Sequence, residues 1–270
     1  MGNAVGDVLT RSILNVPQLL AELLIVAAVV ACAVILHAYL QRRFRSELLR
    51  RHNDVAGYLF SAVGILYAVV LGFVVVVVWQ KYDATVSNVE SEINAVGDLY
   101  HVVDGYSEPA RAQIRGDLRA YVNLVIGTEW PAMAKRQPIP QAGANILDDV
   151  FYRADSFSPA NFRQFAAQQA ALQASQRLAD ARRVRLIEAV PAVPSVLWFA
   201  LIAGALAMIS FCYIFGVESR PAQLMMTAVL VGLIGILFVV IGAFSTPFAG
   251  SVRISPDGWL YLQQRLPHIS

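Results

Sequence analysis

The sequence is short of charge and of reactive side chains. Only 15% of its 270 residues are Asp, Glu, Lys or Arg, and it has four histidines and two cysteines. Cys32 and Cys212 both fall in apolar runs, where they behave as small hydrophobes, which excludes a disulfide framework or thiolate metal site. His37, His52, His101 and His268 are scattered, and His37 has no second histidine at metal-ligand spacing, so it reads as a packed or interfacial residue. No P-loop, GxSxG, HExxH, CxxC or dinucleotide fingerprint occurs. Glu90 and Glu92, two apart on a helix, point to different sides, and Asp148 and Asp149 are adjacent. Neither pair makes an acid/base dyad, and both read as solvated surface. The formal charge is only +2, without a basic block, so nucleic acid is not an expected partner. Enzymatic activity, a cofactor and a metal all lack a recognisable site.

What is present is four long windows with no Asp, Glu, Lys or Arg: Leu23 to Gln41, Val55 to Gln80, Ala189 to Val217 and Pro221 to Val252. About 20 apolar residues of α-helix cross a hydrocarbon core of about 30 Å, so each window holds one crossing and none holds two. A soluble enzyme is excluded. The expectation is an all-α, polytopic membrane protein. Residues 1–80 hold transmembrane helices 1 and 2 (about 20–40 and 56–80), and residues 81–190 form a helical soluble domain continuous with helix 2. Residues 191–250 hold helices 3 and 4 (about 195–217 and 222–245), and 251–270 form a tail. The stretch from Lys81 to Glu188 carries 12 basic and 13 acidic residues, ordinary for a domain in water.

The first window is followed by Gln41-Arg42-Arg43-Phe44-Arg45, whereas a cleaved signal has its positive charge before the apolar run; the window reads as a retained anchor. Arg42, Arg43, Arg45, Arg50 and Arg51 crowd the connector to the second window, and short basic loops stay cytoplasmic. That puts the N-terminus, the soluble domain and the C-terminus outside the cell, with the Glu218–Arg220 turn inside. Arg182, Arg183 and Arg185, near the third window, pull the other way.

The second window has no proline, and no breaker separates Trp79 from the polar sequence beyond it. One helix is expected from about Val55 to about Asp104, ended by Gly105 and Pro109. Beyond the membrane, Val86, Val89, Ile93, Val96, Tyr100 and Val103 form a heptad seam. Traced backward it passes through Tyr82, Trp79, Val75, Gly72, Ala68, Ile65 and Ser61. Helices in lipid associate through small residues, which Ser61, Gly64, Ala68 and Gly72 supply. Two readings stay open: the seam packs on helices of the same chain, or copies from several chains converge and line a pore that gates by constriction or dewetting. Asn53 and Asp54 either cap the helix or ring a pore mouth, and Arg182, Arg183 and Arg185 are either a solvated face or a basic collar at the other end.

The rest of the domain also reads as helical. Ser107-Glu108-Pro109 is a start signal with a serine cap, Ile114, Leu118, Tyr121 and Val125 recur at helical spacing, and Glu129-Trp130-Pro131 is a stop. After a Pro/Gly loop, Ile146, Leu147, Val150 and Phe151 suggest a short helix. Ser158-Pro159 starts a long helix to Val190, with Phe165, Leu172, Ala179 and Leu186 spaced by seven, antiparallel to the seam. Strand-like alternation is absent. In the third and fourth windows Ala200, Gly204, Ala207 and Phe211, and Ala228, Gly232, Gly235 and Gly242, form packing faces. Trp79, Tyr82, Trp198, Trp259 and Tyr261 fit an aromatic belt.

Several segments together resemble the bestrophin-like family of bacterial membrane proteins, and the resemblance covers nearly the whole chain. They are Asn53-Asp54-Val55-Ala56-Gly57, then Tyr67-Ala68-Val69-Val70-Leu71-Gly72-Phe73 with Trp79, and Glu92-Ile93-Asn94-Ala95 with Leu99-Tyr100. Tyr121, Glu129-Trp130-Pro131, Asp180-Ala181-Arg182-Arg183, Pro194 with Leu197-Trp198, and Pro247-Phe248-Ala249-Gly250 complete the set. Where relatives have an acidic residue before the Pro-Phe pair, this chain has Ser245-Thr246. The resemblance implies four membrane helices with a large helical domain between the second and third. True bestrophins are pentameric anion channels whose second helix lines the pore and whose large domain is cytosolic, opposite to the side the connector arginines indicate.

The expected function is therefore a homo-oligomeric ion channel in the bacterial inner membrane, pentameric and anion-selective by that analogy, with inorganic ions, lipid and other copies of itself as partners. Ser61, Ile65, Ala68, Gly72, Val75 and Trp79 are the pore-lining candidates. Gly57, Tyr67, Glu92, Glu129, Trp130, Pro247 and Phe248 are the family-motif residues. A non-conducting scaffold or sensor, whose soluble helices bind a partner, is the alternative. The arginine distribution is tested by a Gln137→Cys variant, its thiol on the soluble domain: a membrane-impermeant maleimide should label it in intact cells. Labelling only after the membrane is opened would reverse the orientation.

Overall fold

The structure is a computed structural model that describes residues 12–43, 53–214 and 219–266. Phe44, Arg45, Arg50, Arg51, His52, Val217, Glu218 and His268, named above, lie outside the described residues, as do the side chains of Asn53 and Asp54.

In chain order the elements are β1 (Ser12–Leu14), α1 (Val16–Arg43), α2 (Asn53–Val102), a 3₁₀ turn (Val103–Gly105) and α3 (Ala110–Leu124). A π turn (Val125–Glu129), α4 (Trp130–Ala134), α5 (Ala142–Asp155) and α6 (Phe162–Glu188) follow. The chain continues with α7 (Ser195–Ile214), α8 (Arg220–Ser245), β2 (Val252–Ile254) and α9 (Asp257–Arg265). Among the described residues the fold is all-α apart from two three-residue strands, which pair with each other and are too short to show alternation in the sequence. Among the described residues four helices are long and apolar enough to cross a membrane: α1, α7, α8 and the segment Gly57–Gly105, which contains most of α2.

The chain divides into two compact units, and the boundary at Lys81/Tyr82 falls inside α2, a 50-residue helix that continues through it unbroken. The first unit joins Leu14–Lys81 to Pro191–Ser245. Its core is made by Tyr67, Leu71, Val74 and Val78 of α2 against Leu201, Ala205 and Met208 of α7 and Ile234 and Ile241 of α8. Lipid tails are as apolar as these side chains, so close fit and hydrogen bonds hold the helices together. Tyr67 shows both: its hydroxyl donates to the Leu201 carbonyl at 3.0 Å, and its ring occupies the space where a Cβ at Gly204 would stand. On α7 the most buried face is thus Leu201, Ala205 and Met208, beside the expected stripe, whose Ala200 is exposed. On α8 two glycines of the expected face pack, Gly232 and Gly235 against Val30 and Val26 of α1, whereas a Cβ at Gly242 would meet no atom within 4 Å. His37 is a packed residue, fully buried, with Nδ1 2.7 Å from Thr227 Oγ1 and its ring against Tyr213.

The second unit is built mainly on Tyr82–Val190, with residues 246–266 packed on it. Here water supplies a hydrophobic driving force, on the order of 25 cal/mol per Å² of apolar area buried. Val89, Ile93, Val96, Tyr100 and Val103 of the heptad seam are buried, as are Ile114, Leu118, Tyr121 and Val122 of α3. Helix α6 runs antiparallel to the end of α2: Asn88 donates to Glu188 at 2.9 Å and Glu92 meets Arg185.

Several local readings are corrected. Ser107 makes no side-chain cap at α3; the Glu108 carboxylate instead accepts from the Ala112 amide at 3.1 Å and from Arg111, contacts that hold it below the usual carboxylate range. Pro131 does not stop the chain, because it enters the first turn of α4, where its missing N–H is not needed. Helix α6 starts at Phe162, where Asn161 caps the Gln164 amide and the Gln164 side chain reaches back to the Ala160 amide. Its buried face is Gln168, Ala171, Ala174, Ser175, Leu178, Arg182 and Arg185, whereas Phe165 is exposed. Trp259 is no belt residue: it is fully buried against the edge of Tyr121, and Tyr82 is buried too.

The Tyr67 contact gives a test. Gly204→Leu forces a side chain into the Tyr67 ring, and overpacking of this kind costs about 1–3 kcal/mol. Thermal unfolding of the detergent-solubilised protein should drop by several degrees. An unchanged midpoint would mean that Tyr67 does not hold this position.

Candidate functional site

Two features carry chemistry. The first is a face of α2 in the membrane-spanning stretch. The residues that meet α7 and α8, Tyr67, Leu71, Val74 and Val78, step along one side of the helix. The pore-lining candidates step along the adjacent side, about one residue round. Ser61, Ile65, Ala68, Gly72 and Trp79 are exposed within this chain and Val75 is half-buried. Ala68, Gly72 and Val75 also border a cavity of about 460 Å³ shared with Met208 of α7 and Leu233 and Leu237 of α8. A Cβ at Gly72 would meet no atom within 4 Å. This face is uncharged and, apart from Val75, exposed within the chain.

The second is a buried charge cluster in the unit that contains α6. Arg185 lies at its centre, fully buried, and donates from Nε to Glu92 Oε2 at 2.6 Å and from Nη2 to Glu92 Oε1 at 3.0 Å and Glu129 Oε2 at 2.6 Å. Its Nη1 reaches the Met133 sulfur at 3.5 Å. Arg182 donates from Nε and Nη2 to Glu129 Oε1 at 3.1 and 2.7 Å, and the Tyr121 hydroxyl donates to Glu92 Oε1. Two carboxylates and two guanidiniums balance, which is the condition for holding charge out of water. The π turn widens the helix at Val125–Glu129 and carries Glu129, and Gly143 of α5 lies so close to Glu129 and Arg182 that a Cβ there would overlap both. Burial alone would lower the Arg185 guanidinium, but Glu92, with Glu129 adding to it, holds it above its ordinary range. Burial first, then the charge of Glu92, push the Tyr121 phenol well above its ordinary 10.0.

This cluster corrects two expectations. Glu92 is not solvated surface; it is fully buried and fully paired. Arg182 and Arg185 do not form an open collar, because carboxylates from α2 and the π turn occupy them, and only Arg183 projects outward, paired loosely with Asp180 at 3.3 Å. Asn53 and Asp54 open α2, and nothing of their side chains is described. Of the family-motif residues, Glu92 and Glu129 meet in the cluster. Trp130 and Phe248 stack edge to face with centroids 5.2 Å apart. The Pro247 carbonyl accepts from the Ile254 amide at 2.8 Å, Tyr67 packs on α7, and Gly57 lies in the first turns of α2. Among the described residues no group of three His, Cys, Asp or Glu could hold a metal ion.

Four membrane-length helices with a helical unit between the second and third define a polytopic integral membrane protein. The chain belongs to the Bestrophin-like domain family, whose model matches residues 27–259. No curated protein sequence matches it. Among solved structures it is similar to a mutant of a bacterial bestrophin homologue from Klebsiella pneumoniae, with a TM-score of 0.65 at 13% identity over 93% of this chain and 99% of that one. A second structure of the Klebsiella pneumoniae homologue gives 0.63 at 13% identity over 93% and 98%. A mutant described only as a membrane protein gives 0.62 at 11% identity over 88% and 97%. At this identity the likeness is one of fold.

The cluster yields two predictions. Glu92→Gln or Arg185→Met leaves a buried partner uncompensated and should cost about 3–5 kcal/mol in thermal unfolding, whereas Arg183→Ala should stay within about 0.5 kcal/mol. In alkali, the native state keeps the Tyr121 proton while the unfolded chain loses it. Stability is therefore full below pH 10.0, the ordinary phenol value, and falls as pH rises beyond it. The buried Tyr106 phenol, pushed up to about 12, adds to the same loss. Tyr121→Phe should flatten this alkaline slope; an unchanged slope would contradict the assignment.

Proposed function

We propose that copies of this chain assemble into a homo-oligomeric ion channel whose pore is lined by Ser61, Ile65, Ala68, Gly72, Val75 and Trp79 of α2. The observation that carries the reading is the division of labour on that helix. One face is consumed inside the chain by α7 and α8, most of the rest of the membrane stretch is exposed, and the strip beside the consumed face carries small residues at Ser61, Ala68 and Gly72. Small faces are where helices approach one another in lipid. A wall of these side chains is uncharged, so it would gate by constriction or dewetting.

The bestrophin-like family supports a channel, and bestrophins supply the analogy for five subunits and for anions. Of the mouth candidates, Asp54 would supply charge at one end, with Asn53 beside it as a neutral polar group, and Arg183 is the outward-facing arginine left for the basic collar expected at the other. A ring of Asp54 favours cations, so anion preference rests on the analogy alone. On the arginine distribution, the N-terminus, helical domain and C-terminus are extracytoplasmic in the bacterial inner membrane.

Purified protein in a planar bilayer should pass unitary currents. In Ala68→Cys and Gly72→Cys variants a charged methanethiosulfonate should block them, and in Leu71→Cys, on the consumed face, it should not. Intact oligomers that pass no current at any potential would overturn the reading in favour of a non-conducting scaffold or sensor. That alternative predicts that a charge at Ala68 disturbs folding of a monomer rather than conductance.

A further inference from the structure

One acidic side chain of the membrane unit is left over by everything described so far. Glu22 stands in the second turn of α1, immediately before the charge-free run that begins at Leu23. Its Oε1 accepts from Gln18 at 3.2 Å, but its Oε2 is inaccessible to solvent and has no hydrogen-bond partner. No ion pair to Glu22 occurs among the described residues. Glu22 is one of the residues lining a cavity of about 380 Å³ between α1, α7 and α8, whose other walls include Val26, Ile202, Leu206, Phe238 and Gly242. All of these are apolar. The first basic residues of α1, Arg42 and Arg43, lie about 30 Å further along the helix and cannot reach it.

A carboxylate that faces an apolar cavity inside a membrane protein is costly unless a counter-charge compensates it, and no side chain around this cavity does so. The geometry points to a cation as the missing partner, and to a small lipophilic ammonium as its class. Three observations select it. The space falls within the range of small-molecule sites, about 300–1,000 Å³. Its only charge is negative and lies at one end, which suits a ligand with a cationic head and an apolar body. Phe238 in the wall is buttressed edge to face by Trp198 at 5.9 Å, and a ring held in place can accept an ammonium within about 6 Å of its face. An acyl chain would fill the same volume with no use for Glu22, so charge is the property that separates the two occupants. The site is independent of ion conduction and of the α2 stripe.

The test is calorimetric titration of the full-length protein in phosphatidylglycerol nanodiscs, which carry no quaternary ammonium head group. The probes are benzyltrimethylammonium and neopentylbenzene, which share a shape and differ in charge. The wild type should bind the cation at least about tenfold tighter than the hydrocarbon. Glu22→Gln should abolish that preference. Gly242→Leu, which grows into space with no atom within 4 Å of a Cβ, should abolish binding of both probes while leaving Glu22 in place. Equal binding of the two probes by the wild type, undiminished cation binding by Glu22→Gln, or no cation binding by folded wild type would each overturn the proposal.

Discussion

One uninterrupted helix has to satisfy two solvents. Helix α2 runs from Asn53 to Val102 without a proline, and its inward stripe keeps one rhythm: Tyr67, Leu71, Val74, Val78, Tyr82, Thr85, Val89, Ile93, Val96. What changes along it is the force that makes burial favourable. In the charge-free part, lipid competes with side chains on equal terms, so Tyr67 is held by fit against Gly204 and by one hydrogen bond to Leu201. In the part beyond Lys81, water makes the same geometry favourable through the hydrophobic effect. The stripe is shared; the energetics are not.

The aqueous end adds a second device. Glu92 projects from the buried stripe and meets Arg185, which also holds Glu129, which in turn holds Arg182. A buried pair of this kind adds little over a well-packed apolar core and is severely costly to break. Its consequence is register: Arg185 can pair only where α6 lies antiparallel to α2 with Glu188 at Asn88, and Glu129 reaches it only from the π turn. Apolar residues alone would tolerate a slide along the seam. The cluster does not.

Much of this was legible in residues. Charge-free windows gave the four membrane helices, since nothing else keeps so many consecutive residues free of charge, and the heptad from Val89 to Val103 gave the buried end of α2. Sequence proximity hides the charge cluster, because Glu92 has Glu90 as its neighbour along the chain while its partner Arg185 is 93 residues away. A signal existed: Glu92 lies between Val89 and Val96 on the seam, and Arg185 lies seven residues after Leu178. Charges on an apolar stripe call for partners. On α6 the expected stripe follows the large Phe165, Leu172 and Leu186, whereas the buried face takes the small Ala171, Ala174 and Ser175; on α7 the expected stripe follows small residues, yet at Gly204 the small residue makes room for Tyr67. Trp259 carried no sign of its burial, since its cover comes from α3, far away in the chain.

Channel function requires the exposed face of α2 to close on copies of itself. The most direct measurement is a single-particle reconstruction of the protein in nanodiscs, viewed down the membrane normal. A channel lined by α2 should appear as a closed ring with a rotational axis, and with Ile65, Ala68 and Gly72 of every copy turned toward it. A monomer, or a ring whose axis is lined by α1, α7 or α8, would contradict it.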